Sequence, residues 1–176
     1  MRIKQTAQLL ILLLSLTLLL TLTACGGGGG GGSEGDGGGT TLQAQKVTAT
    51  FALQGGATIV GSVDLEVVLP VGFVLETDNT AQPTASSMTL LVNGATSAVN
   101  YTPATIAANG EILVAIIKSD GFVGNTNLIQ MSHIYAAGTT LPTADDFMVT
   151  VGASDLNGVP LTGITAQVSI SNQAVP

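Results

Sequence analysis

The chain contains no tryptophan, one cysteine, one histidine and only four Lys and Arg among its 176 residues. Each scarcity removes a class of answer. A single cysteine, Cys25, permits no intrachain disulfide, so the folded part is held by its core. A single histidine, His133, provides no second imidazole for a metal cage and one candidate base for proton transfer. Charged residues make up 9%, far below the usual quarter. Two of the four basic residues, Arg2 and Lys4, lie at the very start, which leaves Lys46 and Lys118 against eleven Asp and Glu. Phosphate backbones are gripped by Lys and Arg in number, so nucleic acid is not an expected partner. Anionic lipid surfaces are not expected partners on the same ground. Long apolar runs are also scarce. Beyond the first 25 residues no stretch approaches the ~20 apolar residues that span a bilayer.

What is present begins with an export pattern. Arg2 and Lys4 precede an apolar run from Leu9 to Leu22, broken only by Ser15, Thr17 and Thr21, and small residues follow. That is the layout of a secretory signal. Leu22-Thr23-Ala24-Cys25 resembles the bacterial lipobox. The resemblance implies a signal peptide over 1–24, cleavage before Cys25, diacylglycerol on the Cys25 sulfur and a fatty acyl chain on its amine. Several buried acyl chains, at about 0.8 kcal/mol per CH₂, anchor durably to a membrane. Gly26 follows the cysteine, and by resemblance to the usual sorting rule this favours the outer membrane, hence the cell envelope as location.

Residues 25–40 are read as the lipidated cysteine and a tether. Gly26 to Gly32 is unbroken glycine, and Gly37 to Gly39 close the run after Ser33, Glu34 and Asp36. Glycine has no side chain to bury and maximal backbone entropy, so this stretch is expected to stay unfolded. As a flexible coil it spans roughly 20 Å on average and about 50 Å at most. A phosphate-binding loop does not fit, because no strand precedes it, no helix follows, and no Lys-Ser/Thr pair ends it.

From residue 41 to 176 period-2 alternation dominates. Val47, Ala49, Phe51 and Leu53 form one apolar set, Val63, Leu65, Val67 and Leu69 a second, and Ile164, Ala166, Val168 and Ile170 a third. Each predicts a strand with one face in a core. Ile112 to Ile117 is apolar on both faces and predicts a central strand covered on both sides. Leu128–Tyr135 and Phe147–Val151 add two strands. Met88–Val92 and Ala98–Tyr101 predict a hairpin across Asn93-Gly94. Turns are expected at Gln54-Gly55-Gly56, Pro70-Val71-Gly72, Ala108-Asn109-Gly110, Ser119-Asp120-Gly121 and Leu156-Asn157-Gly158. One short helical turn is expected after Pro142, where Thr143 stands three residues before Asp146. Eight or nine short strands argue for an antiparallel β-sandwich.

The order of these elements resembles a cohesin-type domain, a jelly-roll sandwich related in fold to some carbohydrate-binding modules. The carrying residues are Gly61-Ser62-Val63-Asp64-Leu65-Glu66-Val67-Val68-Leu69-Pro70 with Gly72-Phe73-Val74, then Glu111 to Ile117, Leu128-Ile129-Gln130-Met131, and Ala153-Ser154-Asp155-Leu156-Asn157-Gly158. The match covers about residues 45–171. It implies a non-catalytic protein-interaction or scaffolding module that binds a dockerin-like partner through one sheet face. No binding residue is carried over from the family.

Candidate chemistry is sparse. His133 alternates with Ile129, Met131 and Tyr135, as a hydrogen-bonded strand histidine would. Asp145 and Asp146 are adjacent and point apart on an extended chain, so they read as solvated turn acids. Asp155-Leu156-Asn157-Gly158 begins like a calcium loop but lacks the later acidic ligand. Asp78, Asp120, Asp145 and Asp155 remain the candidates for a looser calcium site shared between loops; no other cofactor is expected. No Gly-x-Ser-x-Gly occurs, which leaves hydrolysis a distant third reading. A polysaccharide ligand is the main rival to a protein partner. Sugars stack on exposed aromatic faces. Phe51, Tyr135 and Phe147 fall at core-like strand positions, which leaves Phe73, Phe122 and Tyr101 as the aromatics available for a sugar platform.

Overall fold

The alternating sets build two sheets whose apolar faces meet. The computed structural model describes residues 42–105 and 108–176. The expected signal peptide, the Cys25 lipid site and the glycine tether lie outside the described residues. Residues 41–176 form a compact unit with its own core. Its strands are β1 (Ala44–Gln54), β2 (Ile59–Leu69), β3 (Met88–Leu90), β4 (Thr96–Thr102), β5 (Gly110–Val123), β6 (Asn127–Tyr135), β7 (Met148–Ser154) and β8 (Thr165–Val175). The first sheet runs β3-β6-β1-β8 and the second β4-β5-β2-β7, with every pairing antiparallel. No α-helix occurs among the described residues.

The core sits between the sheets. Val47, Ala49, Phe51 and Leu53 from β1 face Val63, Leu65, Val67 and Leu69 from β2, and Ile112, Val114 and Ile116 from β5 complete the layer; all are buried. A buried Leu, Val or Phe side chain contributes about 1.5–3 kcal/mol through the apolar area it removes from water. The expected antiparallel sandwich is therefore present.

Three local expectations are corrected. The hairpin across Asn93-Gly94 does not form, because β3 pairs with β6 and β4 pairs with β5. The turn is real, with Ala95 donating its N–H to the Val92 carbonyl at 3.2 Å, but it carries the chain from one sheet to the other. Ser119-Asp120-Gly121 does not end a strand. It bulges out of β5 while β2 passes opposite, and the register jumps between Val60↔Phe122 and Ser62↔Ile117. Gly121 has φ +72°, and a Cβ there would lie 2.7 Å from Ile59 Cγ2, so the bulge needs glycine. Finally, β5 is central in its sheet but covered on one side only. Its outward Leu113 is 41% exposed and Ile117 57%.

The expected turn after Pro142 is a single 3-10 turn, Ala144–Asp146. Asp146 Oδ2 accepts the Thr143 N–H at 2.7 Å and the Thr143 hydroxyl at 2.9 Å. No helix among the described residues is long and apolar enough to cross a membrane.

Candidate functional site

The outward face of the β4-β5-β2-β7 sheet is a grid fixed by three antiparallel registers. One row reads Thr96, Ile117, Ser62, Ser154; the next reads Ala98, Ala115, Asp64, Gly152. Below them lie Asn100, Leu113, Glu66, Thr150 and then Thr102, Glu111, Val68, Met148. The second row holds two alanines and a glycine around Asp64. Small side chains between taller neighbours make a trough across all four strands, of about 520 Å³, lined by Asp64, Glu66, Asn100, Leu113, Ala115 and Gly152 among others. Apolar side chains stand in the rows on either side, Leu113 and Ile117, both exposed. The carboxylates are Asp64, Glu66 and Glu111, and no Lys or Arg occupies any position of these rows. Such a face can bury an apolar strip and attract positive charge.

The opposite outward face differs. Thr89, Gln130, Thr50 and Ser169 form one row, and Ser132, Thr48 and Ser171 another. Thr48 Oγ1 and Ser132 Oγ share a hydrogen bond at 3.3 Å, and Gln54 Nε2 donates to Gln167 Oε1 at 3.1 Å. Hydroxyls and amides bond across strands, and Lys46 is the charged residue among them.

The sequence-stated candidates are dispersed. Two of the loop acids, Asp78 and Asp155, close their own turns. Asp78 Oδ1 accepts the Thr80 hydroxyl at 2.7 Å and the N–H groups of Thr80 and Gln82 at 2.8 and 3.1 Å. These bonds, the Thr80 hydroxyl first, hold its carboxyl below the usual range. Asp155 Oδ1 accepts from the N–H groups of Val159 and Asn157 at 2.9 and 2.8 Å, which lowers its pKa likewise. Asp120 is lowered by the Lys118 ammonium, 2.7 Å away at the β5 bulge. Asp145 is exposed in the 3-10 turn. Among the described residues no three His, Cys, Asp or Glu side chains gather as a metal site, so the calcium candidates are not brought together.

The aromatics offered as a sugar platform are a correction. Phe73, Phe122 and Tyr101 are all buried. Phe73 meets Phe147 edge-on at 5.2 Å, and Phe147 meets Phe51 at 5.8 Å. The Tyr101 hydroxyl accepts the Leu75 N–H at 2.9 Å. In a chain this poor in aromatics, the core takes them.

His133 continues that chain of rings, tilted against Phe73 at 5.9 Å and edge-on to Tyr135 at 4.8 Å. It lines a cleft of about 370 Å³ with Lys46, Glu76, Ser86, Ser87 and Ser132. Those are residue types of a hydrolytic triad, but their bonds run elsewhere. The Ser86 hydroxyl donates to Glu76 Oε2 at 3.0 Å, Ser87 bonds the Glu76 and Thr84 carbonyls, and Ser132 bonds Thr48. No nucleophile–base–acid relay connects through the imidazole among these bonds. His133 is thus a ring-packed strand histidine, where a hydrogen-bonded one is expected from sequence.

The trough was missed by sequence reasoning. Its signal was available only as Gly152 and Ala115 at outward strand positions, and their meeting depends on register between distant segments. The described residues form an antiparallel β-sandwich with one open, acidic and apolar sheet face. No family model matches the chain, and neither a curated protein nor a solved structure shows significant similarity to it.

Proposed function

We propose that this chain is an exported, lipid-anchored protein of the cell envelope that presents a cohesin-like, jelly-roll sandwich as a non-catalytic protein-interaction module. Cys25 is the lipid site in this reading, the outer membrane the location, and 26–40 the spacer. The docking surface is the outward face of β4-β5-β2-β7. The observation that carries it is the trough row Ala98-Ala115-Asp64-Gly152 between Leu113 and Ile117, on a sheet face that no other element covers among the described residues. Its charge defines the occupant as a protein surface with apolar side chains ringed by Lys or Arg.

The carbohydrate reading is weaker, because its three aromatic candidates lie in the core. The test uses the 41–176 domain as bait on envelope extract, beside a glycan panel and with a chelator arm. Gly152 has ordinary backbone angles, and a Cβ there would meet only Asp64 Cβ at 4.0 Å. Gly152→Tyr therefore fills the trough without disturbing the core. The expected result is one protein captured by the native domain and by Thr50→Lys on the opposite face, and lost with Gly152→Tyr or Leu113→Glu. Capture indifferent to both trough variants, or glycan retention in place of protein, overturns the proposal. Loss with chelator alone would put a cation in the interface.

A further inference from the structure

Four strands border the two sheets, and they are protected unequally. β3 has three residues. The β7 edge is partly covered by the loop that follows it, through a Ser154↔Pro160 bridge and a Leu161 N–H bond to the Ala153 carbonyl at 2.9 Å. β4 has seven residues. β8 has eleven, Thr165-Ala-Gln-Val-Ser-Ile-Ser-Asn-Gln-Ala-Val175, with no charge, no proline and no bulge in its register with β1. Long edges of soluble proteins usually carry at least one of these guards. Among the described residues the backbone is open there too. Leu53 donates its N–H to Thr126, on the β6 side of β1. Alternation then turns Ala52, Thr50 and Thr48 toward β8. Their partners Gln167, Ser169 and Ser171 bond back, so Val168, Ile170 and Asn172 direct N–H and C=O off the free edge. On the core side Val168 and Ile170 are only half-buried, as are Val149 and Val151 on neighbouring β7. The sandwich is thus incompletely closed along this side.

We propose that this edge is a homodimer seam, in which two copies pair their β8 strands antiparallel about a two-fold axis at Ile170. The strand is self-complementary in that register. Ile170 meets Ile170, Ser169 meets Ser171, Gln167 meets Gln173, and Val168 meets Asn172. Apolar meets apolar at the axis, hydroxyl meets hydroxyl and amide meets amide, with no charge opposed to another. The parity is correct as well, because the residues facing off the edge fall opposite one another. Both copies then keep their core faces on the same side, and the half-covered Val168 and Ile170 gain neighbours. The seam lies on the sheet away from the trough, so one dimer presents two docking faces.

The experiment measures the mass of the 41–176 domain by sedimentation over roughly a hundredfold concentration range. Asn172→Pro removes an N–H used only across the seam, and proline is tolerated at a sheet edge. It is expected to weaken dimerisation by about tenfold or more while leaving the thermal melt in place. The domain has no cysteine of its own, so Ile170→Cys reads the register directly. It should cross-link copies under mild oxidation, whereas Thr165→Cys, whose copies stand roughly 30 Å apart in this pairing, should not. A domain monomeric at every concentration overturns the proposal. So does a dimer that ignores Asn172→Pro or cross-links equally from both positions. Gly152→Tyr should leave the dimer unchanged, which separates this seam from the docking face.

Discussion

At the residue scale, the least comfortable group is the Tyr135 hydroxyl. It is buried and has no hydrogen-bond partner among the described residues. Burial, with Asp146 nearby as the smaller cause, pushes its pKa up to about 12. An unpaired buried hydroxyl costs about 1–3 kcal/mol in desolvation. Tyr135→Phe is therefore expected to leave stability unchanged or raise it by up to about 1 kcal/mol, measured by urea denaturation. The pH dependence has a definite sign. The folded pKa lies above the unfolded one near 10, so ionisation opposes folding: stability is independent of this group below pH 10 and falls as pH rises from there toward about 12. Tyr135→Phe should remove that alkaline loss. The turn acids act oppositely. Asp78, Asp146 and Asp155 have lowered pKa values, so their contribution is present above pH 3.8 and disappears as pH falls through the folded values. Asp155→Ala should shrink the acid-side slope of stability and loosen the 155–159 turn; Asp155→Asn should shrink the slope while keeping an acceptor for Val159. Amide exchange at Val159 distinguishes the two. Phe73 supplies a third test. It is fully buried, so Phe73→Ala should lower stability by about 3–5 kcal/mol. A variant that folds normally but loses glycan retention would return Phe73 to the surface role its turn position suggests.

At the scale of the element, glycines at the β5 bulge and in the 155–161 loop separate two costs. Gly121 and Gly158 both have positive φ, at +72° and +79°. A Cβ at Gly158 meets nothing within 4 Å, whereas at Gly121 it meets Ile59 and the Val60 carbonyl. Gly158→Ala should cost about 1 kcal/mol, from backbone strain alone. Gly121→Ala should cost about 2–3 kcal/mol, because the bulge must also shift, and paired denaturation curves measure the difference. The same bulge shows where reading the sequence stops. β1 and β2 were legible because alternation over seven residues, 47–53 and 63–69, sets one apolar face and admits no one-residue slip. Asn93-Gly94 and Ser119-Asp120-Gly121 were legible as reversals, but a turn signal does not say which strand the chain will pair with next. Pairing of β3 with β6 and β4 with β5 is decided by core contacts between remote segments. The run Ile112 to Ile117 misled for a related reason. Apolar residues on both faces of a strand look alike whether a layer covers the outer face or a partner is meant to dock there. Leu113 and Ile117 belong to the second case in the function proposed here, and only the exposed sheet face distinguishes it.

At the scale of the whole molecule, the two outward faces differ in chemistry. One is hydroxyl-rich, internally bonded through Thr48, Ser132, Gln54 and Gln167, and carries the cation Lys46. The other carries Asp64, Glu66 and Glu111 around an apolar trough. The whole chain has a formal net charge of −7, so the face does not merely share a uniform field; it concentrates acids where no cation in its rows offsets them. A basic partner approaching this face is steered, and steering is screened beyond a Debye length of about 10 Å at 0.1 M salt. Raising salt from about 50 to about 500 mM should therefore slow association by about tenfold while changing dissociation far less. Asp64→Asn with Glu66→Gln should flatten that dependence, and Leu113→Ser should instead speed dissociation, because it removes buried apolar area and leaves the field intact. Surface-based kinetics on the captured partner read both rates. Association that ignores salt in the native domain would assign the acids to solubility and leave the apolar strip as the whole of the recognition.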